Sequence, residues 1–138
     1  MELNGRVALV TGGARRVGRA MSLGLANAGA TVVINYRDSA ADAQSAVAEI
    51  RSCGGQAIAV RADLATLQGV RGLVERTRSE LGGLDVLVNS ASVFVRRPFA
   101  EIGEEEWDRV LAINLKAPFF LAQAAEPAGT AATLSTHR

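Results

Sequence analysis

Val7-Ala8-Leu9-Val10-Thr11-Gly12-Gly13-Ala14-Arg15-Arg16-Val17-Gly18-Arg19-Ala20 decides the fold of this chain. Val7–Val10 is a short apolar strand, and Thr11 with two glycines breaks it. Gly18 follows five positions after Gly13, where a helical pattern begins. The order is strand, tight turn, helix N-terminus. The first turn of a helix leaves backbone N–H groups unbonded at the positive end of its dipole, and so receives an anion. Glycines let the backbone come close to a pyrophosphate. The same turn also arises from tight packing alone, and the Gly-x-Gly-x-x-Gly spacing is absent. The segments around it decide between the two readings.

Working outward, the 138 residues suffice for one domain with its own core. Fifteen Lys and Arg against fourteen Asp and Glu leave a net charge of +1, so bulk charge points to no polyanion and no nucleic-acid partner. All the basic residues except Lys116 are Arg. A single cysteine, Cys53, excludes an internal disulfide and fits a reducing cytoplasm; it reads as an inert thiol near a helix end. Met1–Arg6 lacks the apolar core of a signal peptide. No apolar run approaches a membrane span, and no metal site is expected.

Strands and helices alternate along the chain. Val7–Val10 is the first strand, and Arg16–Ala28 a helix with Val17, Ala20, Met21, Leu23, Gly24 and Leu25 on its packing side, stopped at Gly29. Thr31–Asn35 is the second strand, Ala40–Ser52 a helix ending at Gly54-Gly55, and Ala57–Val60 the third strand. A helix over Thr66–Leu81 closes at Gly82-Gly83, and Leu84–Val88 is the fourth strand. Mostly apolar strands joined by helices of this length predict a parallel sheet covered on both faces, with right-handed crossovers. That is an α/β, Rossmann-type doubly wound fold in three layers, strand order 3-2-1-4. Its ligands bind at the carboxyl ends of the strands. The domain is expected over residues 1–125.

The fourth helix starts after Gly103, with Glu104, Glu105 and Glu106 at the positive end of its dipole. Trp107, Val110, Leu111, Leu115 and Phe119 form an apolar stripe with Asn114 among them. An Asn there is either a satisfied core residue or part of a polar site. Pro118, four residues on, has no N–H to give the Asn114 carbonyl, which predicts a kink and a carbonyl free for water or ligand.

The strand ends carry the chemistry. Asn35-Tyr36-Arg37 lies 17 to 19 residues beyond Gly18, where an acidic side chain would accept from a ribose hydroxyl and select NAD. Here Tyr36 takes that place, with Arg37 beside it and Arg15 in the loop. Two guanidiniums suit a 2′-phosphate, so NADP(H) is expected over NAD(H). The alternative for Arg37 is a solvated surface charge. Asp63-Leu64 follows the third strand; its carboxylate either accepts from an adenine amino group or caps the helix near Thr66. Asn89-Ser90-Ala91-Ser92 follows the fourth, its small polar residues permitting close cofactor approach or making an ordinary turn.

Together these residues resemble the short-chain dehydrogenase/reductase family from about Asn4 to Gln123. Thr11-Gly12, then Arg16-Val17-Gly18, is similar to that family's Thr-Gly-x-x-x-Gly-x-Gly loop. Arg16 stands where the middle glycine usually is, a variant resembling pteridine reductases and their bacterial relatives. Asp63-Leu64 matches the adenine-binding Asp. Asn89-Ser90-Ala91-Ser92 matches an Asn-Asn-Ala-Gly segment with Ser90 and Ser92 substituted. Asn114 matches the catalytic Asn whose main-chain carbonyl holds a relay water.

The resemblance implies an NADP(H)-dependent reductase that transfers hydride to a carbonyl or C=N substrate, a pterin being conceivable. It assigns the cofactor to Thr11, Gly12, Arg15, Arg16, Val17, Gly18, Tyr36, Arg37, Asp63, Leu64, Asn89, Ser90 and Ala91, and catalysis to Asn114. The family's Ser and Tyr-x-x-x-Lys are not in this sequence. Tyr36 and Lys116 are 80 positions apart, and Ala40 stands four beyond Tyr36. The chain is therefore expected to be the cofactor-binding portion, inactive alone, with Glu126–Arg138 an irregular tail from a truncated or shifted reading frame. A non-catalytic nucleotide-binding or association module is the alternative. An incomplete sheet leaves the fourth strand as an apolar edge, which predicts self-association.

Overall fold

Residues 2–127 are described by the computed structural model. Four parallel strands, β1 (Val7–Thr11), β2 (Thr31–Tyr36), β3 (Gln56–Arg61) and β4 (Val86–Asn89), form one sheet in the order β3-β2-β1-β4. In register Leu9 lies between Val33 and Leu87, and Thr11 faces Asn89. Every residue of β1 is buried, as a central strand covered on both faces requires. The predicted order and layers hold; each strand's end is shifted by a residue or two from its sequence pattern.

Helices α1 (Arg16–Asn27) and α2 (Ala40–Ser52) cover one face of the sheet. Ala8, Val10, Val32, Ile34 and Ala57 meet Ala43, Ala46, Val47 and Ile50 there. Helices α3 (Leu67–Leu81) and α5 (Ala117–Ala125) cover the other, around Leu9, Val33, Val60, Leu73, Val74 and Leu121. The side chains of β1 and β2 alternate between these two cores with the period of two that strands impose.

Two expected faces are met only in part; on α1, Leu23 and Leu25 pack against the core as expected. On α1 the buried residues are Gly18 and Ser22, while Val17 is 64% exposed and Ala20, Met21 and Gly24 are also exposed. Gly18 must lie against the β1–α1 turn, and a helical period then carries Ser22 inward and Val17 and Met21 outward. The fourth helix is likewise not one apolar stripe facing inward. It runs as α4 (Glu104–Leu111), a π-helical segment at Ala112–Lys116, and α5. The π turn shifts the phase, so Ile113, Ala117 and Leu121 are buried while Trp107, Leu111, Leu115 and Phe119 face outward. The irregularity expected from Pro118 is thus a π segment just before it, Pro118 standing in the first turn of α5.

β4 is one of the two edges of the sheet, β3 being the other, and is only half-buried. Its approach is fastened by Asp85, whose N–H donates to the Val7 carbonyl and whose carboxylate accepts from the Val7 N–H. Among the described residues no helix is long and apolar enough to cross a membrane. The expected tail lies outside the described residues from position 128 onward.

Candidate dinucleotide site

The carboxyl ends of β1, β2 and β4 and the start of α1 enclose a cleft of about 730 Å³. Its floor is the β1–α1 turn. Gly12 has φ +58°, and a Cβ there would stand 2.9 Å from Ala91 Cα, so β4 and the turn touch through a missing side chain. A Cβ on Gly18 would overlap the Gly12 carbonyl. Both glycines are required by contact, which accounts for the spacing seen in the sequence. Arg16 has φ +54°, the only non-glycine in the left-handed region among the described residues. Glycine is the residue that adopts this conformation without strain, so a glycine would be at ease at this position.

Three buried side chains with polar tips hold the turn. Thr11 Oγ1 accepts from the N–H groups of Ser90 and Ala91, both at 3.1 Å, tying the end of β1 to the end of β4. Asn35, 2% exposed, accepts the Gly12 N–H on Oδ1 at 3.3 Å, and its main-chain carbonyl takes the Gly13 N–H at 3.1 Å. Ser22 Oγ lies 3.1 Å from the Gly13 carbonyl and 2.9 Å from that of Gly18. Sequence reasoning read Asn35 only as a strand end and Ser22 not at all. The available signals were an amide closing an otherwise apolar strand, and a hydroxyl one helical turn after an essential glycine.

The cleft wall at β2 carries charges of both signs. Arg37 Nε is 3.7 Å from Asp38 and 3.9 Å from Asp63, and the Arg61 guanidinium donates to the Arg37 carbonyl at 3.0 Å. Arg15 faces Asp42 at 4.0 Å across the mouth. Asp63 does not cap α3. Its Oδ1 accepts the Ala65 N–H at 2.9 Å in a local turn, and Thr66 is the cap, accepting from Gly69 N–H at 3.0 Å.

Gly12, Arg15, Arg16, Val17, Gly18, Tyr36, Arg37, Asp63, Leu64, Ser90 and Ala91 all line this cleft. Thr11, buried at the end of β1, and Asn89, exposed opposite it at the end of β4, are not among the lining residues. Asn114 is beside it, exposed, with both ends of its amide on Val93, a cleft residue. It is therefore not the buried core Asn that the apolar stripe suggested. Ser39, Asp42, Arg109 and Ile113 also line the cleft and escaped the sequence reading.

The short chain dehydrogenase family profile matches residues 6–132. The chain belongs to the short chain dehydrogenase family. Among its relatives is a hydroxynaphthalene reductase-like protein, Arp2, of Metarhizium robertsii, 41% identical over 121 residues that cover 88% of this chain and 45% of the relative. A short chain dehydrogenase from Burkholderia cenocepacia in complex with NADP superposes with a TM-score of 0.87 at 42% identity, covering 91% of this chain and 51% of that one. A blue fluorescent protein from a metagenomic library in complex with NADPH gives 0.85 at 39%, with the same coverage. The chain spans about half the length of these relatives.

Proposed function

We propose that this chain is the NADP(H)-binding portion of a short-chain reductase. The observation that carries the reading is that Arg15 and Arg37 both line the cleft, Arg37 just after the end of β2 and Arg15 beside Asp42 of α2. A ribose 2′ substituent lies at the end of the second strand in this fold class. Two guanidiniums there suit a phosphate, and the position that closes β2 is Tyr36 rather than an acidic residue that would accept from a ribose hydroxyl. The residues fit a dinucleotide in a second respect: the Gly12–Gly18 contact clears a path for a pyrophosphate over the start of α1. The NADP and NADPH held by the two structural relatives support the same choice.

Within this reading Thr11, Gly12, Arg15, Arg16, Val17, Gly18, Tyr36, Arg37, Asp63, Leu64, Asn89, Ser90 and Ala91 form the cofactor site, within a domain over residues 1–125. Asp63 Oδ2 and Leu64 receive the adenine end. Asn114 holds the Ser92–Val93 segment at the nicotinamide end, its main-chain carbonyl being the candidate anchor for a relay water. Bound NADPH supplies the hydride. The acceptor is a carbonyl or C=N bond, in a cytoplasmic setting; both pterins and hydroxynaphthalene tautomers belong to that class. With no Tyr-x-x-x-Lys among its 138 residues, the chain binds cofactor without turning over alone. The outward apolar residues of α4 and α5 and the β4 edge favour self-association.

The test is titration of the purified chain with NADPH and NADH, followed by nicotinamide fluorescence, alongside NADPH oxidation over ketones, hydroxynaphthalenes and pterins. NADPH binding tighter than NADH, without oxidation, is the expected result. Equal binding of the two would overturn the NADP(H) assignment, and turnover would overturn the assignment as a binding portion.

A further inference from the structure

The two arginines offered to a 2′-phosphate are already engaged by carboxylates. Arg37 is shared by Asp38 and Asp63, and Arg15 faces Asp42. The three carboxylates are not equivalent. Asp38 projects into solvent, its side chain 76% exposed. Asp63 spends one oxygen on the Ala65 N–H. The Asp42 carboxylate has Arg15 as its one partner among the described residues, while its main-chain carbonyl is held separately by Arg19 at 3.2 Å.

Asp42 also lies in the first turn of α2, whose opening residues Ser39, Ala40 and Ala41 line the cleft with it. The positive end of a thirteen-residue helix therefore faces the mouth of the cleft, and the negative charge of Asp42 sits on it. A dianionic phosphate entering between Arg15 and Arg37 meets this charge directly, and finds Arg15 partly compensated. A ribose with a free 2′-hydroxyl meets neither effect.

We propose that Asp42 is a specificity-determining residue that acts against the 2′-phosphate. Its carboxylate competes for Arg15 and for the positive end of α2, and so narrows the preference for NADP(H) over NAD(H). This inference rests on the reading of the cleft as a dinucleotide site. An exposed ion pair and a helix-end charge each carry a modest effect, so removing this one charge is worth about three- to tenfold in relative affinity.

The experiment compares the full chain with its Asp42→Asn and Asp42→Glu variants, titrated at low ionic strength with NADPH, NADH, 2′,5′-ADP and 5′-AMP. Asp42→Asn is expected to raise the NADPH-to-NADH affinity ratio about three- to tenfold, and the 2′,5′-ADP-to-5′-AMP ratio alike, with NADH affinity unchanged. Asp42→Glu, which keeps the charge, is expected to return the wild-type ratio. If both affinities move together, Asp42 serves only the structure of α2 and the proposal is overturned. If the ratio stays constant or falls while the wild type binds NADPH, the proposal is overturned and the cofactor reading stands. If the wild type binds neither dinucleotide, the cofactor reading itself fails and this inference with it.

Discussion

The side-chain amide of Asn114 closes a ring on the backbone of Val93, accepting its N–H and donating to its carbonyl, both at 2.8 Å. One side chain thereby fixes both polar groups of a residue in a loop that has no regular structure from Ser90 to Pro98. The π segment around Asn114 belongs to the same device, since it alters the helical phase where this side chain leaves the helix.

Removing that ring frees the loop and leaves two backbone groups to water. Asn114→Ala is expected to cost about 1–2 kcal/mol, less than a buried amide, because Asn114 is exposed. Urea denaturation followed by circular dichroism measures it. Backbone amide exchange at Val93 is expected to accelerate in the same variant.

Gly18 and Gly24 are two glycines of one helix with opposite prospects. A Cβ at Gly18 meets the carbonyl of Gly12, a backbone group that cannot swing aside, whereas a Cβ at Gly24 meets nothing within 4 Å. Gly18→Ala is expected to destabilise by about 3 kcal/mol or more and to abolish NADPH binding by displacing the turn. Gly24→Ala is expected to stabilise by about 0.5–1 kcal/mol through helix propensity. Paired thermal melts decide both.

Reversing the charge at Arg37 tests the preference for a 2′-phosphate. A charge-assisted hydrogen bond is worth about 1.5–3 kcal/mol, so Arg37→Asp is expected to lower NADPH affinity relative to NADH by about ten- to a hundredfold. Fluorescence titration of both cofactors reads the ratio. An unchanged ratio would place the phosphate contacts elsewhere.

Leu115 is 67% exposed, with Phe119 and Leu111 as neighbours on the same outward face. Leu115→Glu is expected to shift sedimentation velocity profiles toward the monomer, with the unfolding free energy within about 0.5 kcal/mol of wild type, as for a surface change. Unchanged association would move the contact to the β4 edge.

Much of the fold was legible because it rests on periodicity and glycine. Buried strands between helices of the right length gave the sheet order, and α2 was read to the residue from Ala40 to Ser52. What escaped was phase. The α1 stripe of Val17 and Met21 looks like a packing face, and only the contact of Gly18 with Gly12 turns it outward. A π turn cannot be seen in residue spacing, so the reach of the Asn114 amide to the Val93 loop could not be read from its apolar neighbours in sequence. The cleft residues that come from strand ends were legible from their positions in sequence. Asn35 and Asp42 were not, because their parts depend on which atoms of distant segments they meet.

The most direct test of the account is an amide NMR titration of the isotope-labelled chain with NADP⁺. Binding at the carboxyl ends of the strands predicts shifts at Gly12, Gly18, Arg37, Asp63 and Ala91, with Gly5 and Gly54, at the opposite ends of the strands, unmoved. Shifts confined to the Gly5 and Gly54 end, or no shifts at saturating NADP⁺, would contradict it.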